Sequence, residues 1–171
     1  MTDMRYLAPQ TLDEAVGAYA AAAGAARILA GGTDLLVQMR SGMVKPGLVV
    51  DIKKIPEMTT VQETADGGFK VGAAVSGAVL AEHPKFGKVW PGVLEGFNLI
   101  GSTQVQGRAS MGGNLCNGSP AADSVPALVA AGAMVTVQGP AGRRELKVED
   151  VPAGPGRGAH AVLQRQADAD A

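Results

Sequence analysis

The chain has 171 residues, 46% of them apolar and 18% charged, enough for a buried core in one domain or two small lobes. A formal net charge of −1 and small scattered basic clusters (Lys53 and Lys54, Arg143 and Arg144) leave no electrostatic footprint for nucleic acid. No stretch reaches the roughly 18 apolar residues of a membrane span, and "MTDMRYLAPQ" lacks the basic region and apolar run of a signal peptide, so a cytoplasmic location is expected.

A single cysteine, Cys116, excludes an intramolecular disulfide. Even with His83 and His160 nearby in the count, it cannot alone hold an iron–sulfur cluster or a structural zinc, and no metal site is expected. Any redox carrier here must be organic.

In chain order, "TLDE" at 11–14 has capping-box spacing, with Thr11 as N-cap and Glu14 answering it. The spacing predicts a helix to about Gly24 with an apolar face of Leu12, Ala15, Val16, Tyr19, Ala20 and Ala23. "ARILA" at 26–30 reads as a short buried strand. Gly31-Gly32-Thr33-Asp34 then turn into an amphipathic helix through about Ser41. "PGLVVDIKKI" supplies a second strand, expected parallel to the first because a helix intervenes. Residues 1–55 thus read as a small βαβ lobe.

After Pro56, "TTVQETADGGFKVGAAV" alternates around Asp66-Gly67 as a hairpin does, and Ser76 is placed to cap a short helix ending before Pro84. Residues 88–100 predict a helix with Pro91 in its first turn. A Gly- and Ser-rich loop follows, then a helix over about 124–131 and a hairpin around Gly139-Pro140-Ala141-Gly142. Residues 56–157 form a second, larger α+β lobe with mainly antiparallel strands. Beyond them both periodicities vanish, and 158–171 are expected to be a disordered tail outside the fold.

Two turns share a construction. "AGGTD" at 30–34 follows a strand and opens a helix; "SMGGNLCNGSPAAD" at 110–123 repeats the glycine pair in a longer loop before another helix. Adjacent glycines let backbone N–H groups turn outward toward an anion, and a helix N-terminus adds partial positive charge. The hydroxyls of Thr33, Ser110 and Ser119 could complete such a cradle. Neither turn is a Walker loop or G-x-G-x-x-G. Each alone reads first as a C-cap or tight turn; together, one per lobe, they point to a ligand held between lobes.

"ILAGGTDLLVQMR" together with "IGSTQVQGRASMGGNLCNGSPAADSVPALVAAGAMV" resembles the FAD-binding medium subunit of molybdenum hydroxylases, the carbon monoxide dehydrogenase and xanthine dehydrogenase family. "YLAPQTLDEAV", "LVVDIKKIPEM" and "KVGAAVS" extend the resemblance over about residues 4–157. It implies a two-lobed α+β FAD-binding fold of the PCMH type. It also implies an oxidoreductase subunit, inactive without its partners, whose FAD takes electrons from [2Fe–2S] clusters and reduces an external acceptor. Those clusters would lie in a small iron–sulfur subunit and the molybdenum cofactor in a large subunit, assembled as a dimer of heterotrimers.

By the same resemblance, Ala30, Gly31, Gly32, Thr33 and Asp34 would hold FAD phosphates, and Ser110, Met111, Gly112, Gly113 and Asn114 would line the cofactor's other side. Asp123 matches an aspartate contacting flavin hydroxyls, and Ile100 lies near the position packing on the isoalloxazine. Where the family pattern reads "VRNRGTIGGN", this chain reads "VQGRASMGGN", replacing an Arg-Asn pair by Gln106-Gly107. The family continues for a further domain, so an early stop, by frameshift or truncation, is expected. A flavin-poor assembly module and a standalone flavin reductase are the alternative readings. The substrate is chosen on another chain; the absence of a fused iron–sulfur motif favours the carbon-monoxide type.

Single residues have plainer readings. Cys116 is expected as a small apolar filler, His83 as a surface cation at a helix end, and Trp90 as core or interface packing. Asp34 serves either its helix's first turn or the cofactor. Asp51 has no partner that the sequence names.

Overall fold

Thr11 opens the first helix as its capping box requires: its side-chain oxygen accepts from the Glu14 N–H at 3.2 Å, while the Glu14 carboxylate accepts from the Gln10 N–H at 3.1 Å. The computed structural model describes residues 4–151. Their first part runs β1 (Arg5–Leu7), α1 (Leu12–Ala21), β2 (Ala26–Leu29), α2 (Leu35–Arg40) and β3 (Leu48–Asp51). A 3-10 turn at Ile52–Lys54 and α3 (Pro56–Thr59) follow. Helix α1 stops earlier than expected, because both Ala23 (φ 45°) and Gly24 (φ 87°) turn left-handed.

β2 and β3 pair in parallel as expected of a strand, helix and strand. An unforeseen third strand, β1, pairs parallel to β3 on its other edge, giving the order β1-β3-β2. The central β3 is buried at all four positions, which accounts for its unbroken apolar run. Against this sheet α1 sets Leu12, Ala15, Ala18, Tyr19 and Ala22. Ala20 and Ala23, assigned to that face by their spacing, are exposed instead.

The chain continues through the hairpin β4 (Val61–Glu63) and β5 (Phe69–Val71), then α4 (Gly77–Glu82), α5 (Phe86–Val89) and α6 (Pro91–Asn98). Ser76 caps α4 by accepting from the Val79 N–H. The single helix expected over 88–100 is divided at Trp90 (φ −124°, ψ 58°), since the residue preceding a proline is driven out of the helical region. Next come α7 (Thr103–Gln106), α8 (Met111–Asn117) and α9 (Ser124–Ala130). The hairpin β6 (Met134–Gly139) and β7 (Gly142–Lys147) and a 3-10 turn at Val148–Asp150 complete it. The antiparallel strands form two separate two-stranded ribbons.

Three apolar clusters result. The first unites the parallel sheet with Ile52, Ile55 and Ala74; the second gathers Leu80, Phe86, Val93 and Phe97; the third joins Leu115 to Val148 and Val151. Trp90 packs on the second cluster, as expected. The tail expected over 158–171 lies outside the described residues. Among the described residues no helix is long and apolar enough to cross a membrane.

Candidate functional site

The two glycine pairs, far apart in sequence, meet in space. Behind β2, Gly31 lies so close to the second segment that a Cβ there would stand 2.1 Å from the Arg108 carbonyl oxygen and 3.0 Å from Ala109 Cα. A Cβ on Gly113 would lie 3.8 Å from Ala30 Cβ, and Gln38 Nε2 of α2 donates to Asn117 Oδ1 of α8 at 3.1 Å. The absence of a side chain at Gly31 is what allows the turns to abut.

The second pair corrects an expectation. Gly112 and Gly113 belong to the first turn of α8 rather than to a loop. Ser110, 2% exposed, is the N-cap, its oxygen accepting from the Gly113 N–H at 3.1 Å. Helical residues follow because the cap satisfies one of the helix's free donors and Gly118 (φ 63°) ends it. A Cβ on Gly112 would stand 2.7 Å from the Ala73 backbone. Close chain packing therefore accounts for Gly31 and Gly112, where the sequence suggested a tight turn or the approach of an anion.

The first turn nevertheless has the chemistry of an anion cradle. Gly32 adopts φ 82°, and among the described residues the consecutive backbone N–H groups of Gly31, Gly32, Thr33 and Asp34 donate no hydrogen bond. That of Gly112, in the first turn of α8, likewise donates none among the described residues. Left-handed glycine in such a turn aims successive N–H groups to one side, which suits a negatively charged group. The Thr33 hydroxyl makes no hydrogen bond among the described residues, whereas the Ser119 oxygen accepts from the Ala121 N–H. Asp34 occupies the N-cap of α2 without a side-chain bond to it, and burial pushes its carboxyl up.

Other expected residues sit around this junction. Met111 is in the second core, with Ile100 packed against that core at the end of α6. Asn114 Oδ1 accepts from the Ser124 hydroxyl at 2.7 Å and from its N–H at 3.4 Å. This ties α8 to α9, at whose N-cap stands the exposed Asp123. Gln106, one of the two departures from the family pattern, donates to the Asn98 carbonyl at 2.7 Å and tethers the segment before Arg108 to α6. Ser124 is wholly buried and was not singled out from sequence; an isolated serine beside a glycine-rich stretch carries no signal of its own.

Two single-residue expectations are corrected. Cys116 is solvent-accessible rather than a filler, although surrounding protein pushes its thiol up. The His83 ring is half-buried and does not serve the carbonyl end of α4. Its Nδ1 accepts from the Lys85 and Phe86 N–H groups at 3.3 and 3.2 Å, and its ring meets the edge of Phe69.

Asp51, which the sequence left without a partner, has two, which make three hydrogen bonds to it. Its Oδ1 accepts from Lys53 Nζ at 2.8 Å and from the Lys53 N–H at 3.0 Å, and its Oδ2 accepts from Tyr6 Oη at 2.6 Å. Lys53 Nζ also donates to the Ala30 carbonyl at 3.0 Å. Burial alone would raise the Asp51 carboxyl, but the bonds from Lys53 and Tyr6 outweigh it and hold the group below its ordinary value. A depressed folded pKa adds stability above the ordinary carboxylate range, lost as the pH falls through the depressed value. Asp51→Asn is therefore expected to flatten the acid limb of a stability-versus-pH curve, measured by urea titration at stepped pH. An unchanged acid limb would refute the assignment.

A cleft of about 470 Å³ lies elsewhere, lined by Thr11, Asp13, Glu57, Gln138 and Arg143 among others. Its charges are matched within the chain: Arg143 binds both Glu57 oxygens at 2.8 and 2.7 Å, and Gln138 donates to Asp13. Among the described residues, no group of three or more His, Cys, Asp and Glu side chains is gathered that could hold a metal ion.

Comparison with known proteins identifies the arrangement. Residues 2–165, running past Arg157, match the FAD binding domain in molybdopterin dehydrogenase. The nicotinate dehydrogenase FAD-subunit of Eubacterium barkeri is 31% identical over 153 residues, 88% of this chain and 51% of that protein. The carbon monoxide dehydrogenase medium chain of Hydrogenophaga pseudoflava is 31% identical over 144 residues, 84% and 50%. A solved structure of the Hydrogenophaga pseudoflava carbon monoxide dehydrogenase superposes with a TM-score of 0.83 at 30% identity, covering 90% of this chain and 53% of that one. Quinoline 2-oxidoreductase from Pseudomonas putida 86 gives 0.84 at 27%, with the same coverage. The chain spans about half the length of these relatives. With its glycine turns brought together on an α+β scaffold of the same shape, the chain belongs to the family of FAD binding domains in molybdopterin dehydrogenases.

Proposed function

We propose that this chain is the flavin-holding part of a molybdenum hydroxylase, with FAD seated between the lobes over residues 1–55 and 56–157. The observation that carries this reading is the run of N–H groups at Gly31–Asp34 that have no partner among the described residues, on a turn pressed against the backbone that leads into α8. A diphosphate fits such a surface, because it needs donors without requiring a lysine. Ala30 through Asp34 would bind it from one side and Ser110 through Asn114 from the other, with the Ser110 cap and the Asn114–Ser124 bond fixing α8 in place. Asp123, exposed at the start of α9, offers a carboxylate for flavin hydroxyls. Ile100 offers an apolar surface toward the ring.

FAD, when bound, supplies the redox chemistry, passing electrons from [2Fe–2S] clusters of a small partner subunit to an external acceptor. The molybdenum cofactor belongs to a large partner subunit, the assembly to a dimer of heterotrimers, and its place to the cytoplasm. The protein's own contribution is to bind and orient, so no acid, base or nucleophile is assigned.

Purifying the chain, adding FAD and removing the excess tests this reading. Flavin absorption bands in stoichiometric amount are the expected result. A folded, colourless protein after reconstitution would overturn it.

A further inference from the structure

Lys53 and its partners form a chain of contacts that crosses the whole parallel sheet. Tyr6 stands on β1, Asp51 at the end of the central β3, and Ala30 directly after β2. Tyr6 Oη binds one Asp51 oxygen at 2.6 Å, the other binds Lys53 Nζ at 2.8 Å, and Nζ donates to the Ala30 carbonyl at 3.0 Å. No part of this chain is needed to pair the strands, whose register is already set by β1-β3 and β2-β3 ladders. Its end point is the peptide group between Ala30 and Gly31.

In a trans peptide the carbonyl and the following N–H point in opposite directions within one plane. Holding the Ala30 oxygen toward Lys53 therefore aims the Gly31 N–H away from it, into the set of free donors on the turn. An ammonium on the oxygen also polarises the amide and strengthens the donor on its far side. Asp51 keeps that ammonium in place: the carboxylate is 7% exposed, and its second oxygen is occupied by Tyr6.

We propose that Lys53 is a positioning residue for FAD, braced by Asp51 and Tyr6, which sets the direction of the Gly31 N–H for the cofactor's diphosphate without touching the cofactor. The proposal rests on the reading of the 30–34 turn as the diphosphate site. FAD and riboflavin, which lacks the diphosphate, are the probes, titrated against the full chain by quenching of flavin fluorescence.

Lys53→Met removes the donor and is expected to weaken FAD binding about tenfold, the scale of a lost charge-assisted hydrogen bond. Lys53→Arg retains a cationic donor and is expected to restore most of the loss. Riboflavin affinity should stay unchanged throughout. In the cofactor-free protein, the Gly31 amide resonance in a nitrogen–proton correlation spectrum should move further in Lys53→Met than in Lys53→Arg. Should Lys53→Met not fold, Tyr6→Phe, on an edge strand with Tyr6 57% exposed, carries the same test with a smaller expected loss of FAD affinity, of about threefold.

If the unsubstituted protein binds FAD and the variants bind it equally well, the relay is wrong and the site reading survives. Equal losses for FAD and riboflavin also overturn the relay, since they mark a merely structural residue. If the unsubstituted protein binds neither, the site reading falls and the relay with it.

Discussion

Gly31→Ala is expected to destabilise the chain by about 3 kcal/mol or more and to abolish stoichiometric FAD binding. The added Cβ would stand 2.1 Å from the Arg108 carbonyl oxygen, 2.9 Å from its carbon and 3.0 Å from Ala109 Cα. All three are backbone atoms, so relief requires moving a segment held by the Gly77 N–H bond to the Ala109 carbonyl and by the buried Ser110 cap. Two other glycine substitutions supply the scale. Gly32→Ala meets only the side chains of Leu29 and Leu36 but must hold φ 82°, at a cost of about 1–2 kcal/mol. Gly17→Ala, in α1 with no atom within 4 Å, is expected to stabilise by about 0.5–1 kcal/mol. Urea midpoints and bound FAD per chain check all three. A Gly31→Ala protein of unchanged stability that has merely lost FAD would mean that the glycine serves cofactor approach rather than packing.

That contrast marks where sequence reasoning stopped. The pattern Gly-Gly-Thr-Asp after a short strand identified the right turn, because a strand followed by free-φ residues and an apolar helix is a local signal. What the first glycine touches is not local: Arg108 lies 77 positions away, and nothing in "AGGTD" encodes it. The Thr11 capping box, the Ser76 cap, the Asp66-Gly67 hairpin and the parallel pairing of β2 with β3 were legible for the same reason that β1 was not. Those features have a period or a turn residue, whereas Arg5–Leu7 is too short for any period and pairs only because β3 leaves an edge open. The glycines of α8 misled because poor helix formers in a Ser-rich stretch favour a loop. There a single cap and the close approach to Ala73 override propensity. Asp51 looked idle since its partners sit on two other elements, one of them the strand that periodicity missed.

Gly77→Ala is the second large effect, and its cause can be removed. A Cβ at this position would fall 1.9 Å from Phe97 Cε1 and 2.5 Å from Cδ1, and Phe97 has no exposed surface into which its ring could retreat. Overpacking of this kind is expected to cost about 2–3 kcal/mol. Phe97→Leu alone, leaving a cavity among Leu80 and Val93, is expected to cost about 1–2 kcal/mol. In the double variant the smaller side chain makes room for the methyl group, so the two losses should fall short of additivity by about 1 kcal/mol or more. The same pair bears on the site. Gly77 opens α4, its N–H bonds the Ala109 carbonyl at 3.1 Å, and Ser76 bridges to Ser110. Displacing α4 therefore pulls on the backbone that abuts Gly31. FAD affinity should fall in Gly77→Ala and recover in the double variant, in step with stability. Strict additivity in the urea midpoints would show that Phe97 does not seat α4; affinity that fails to follow stability would show that the seat of α4 and the glycine junction are independent.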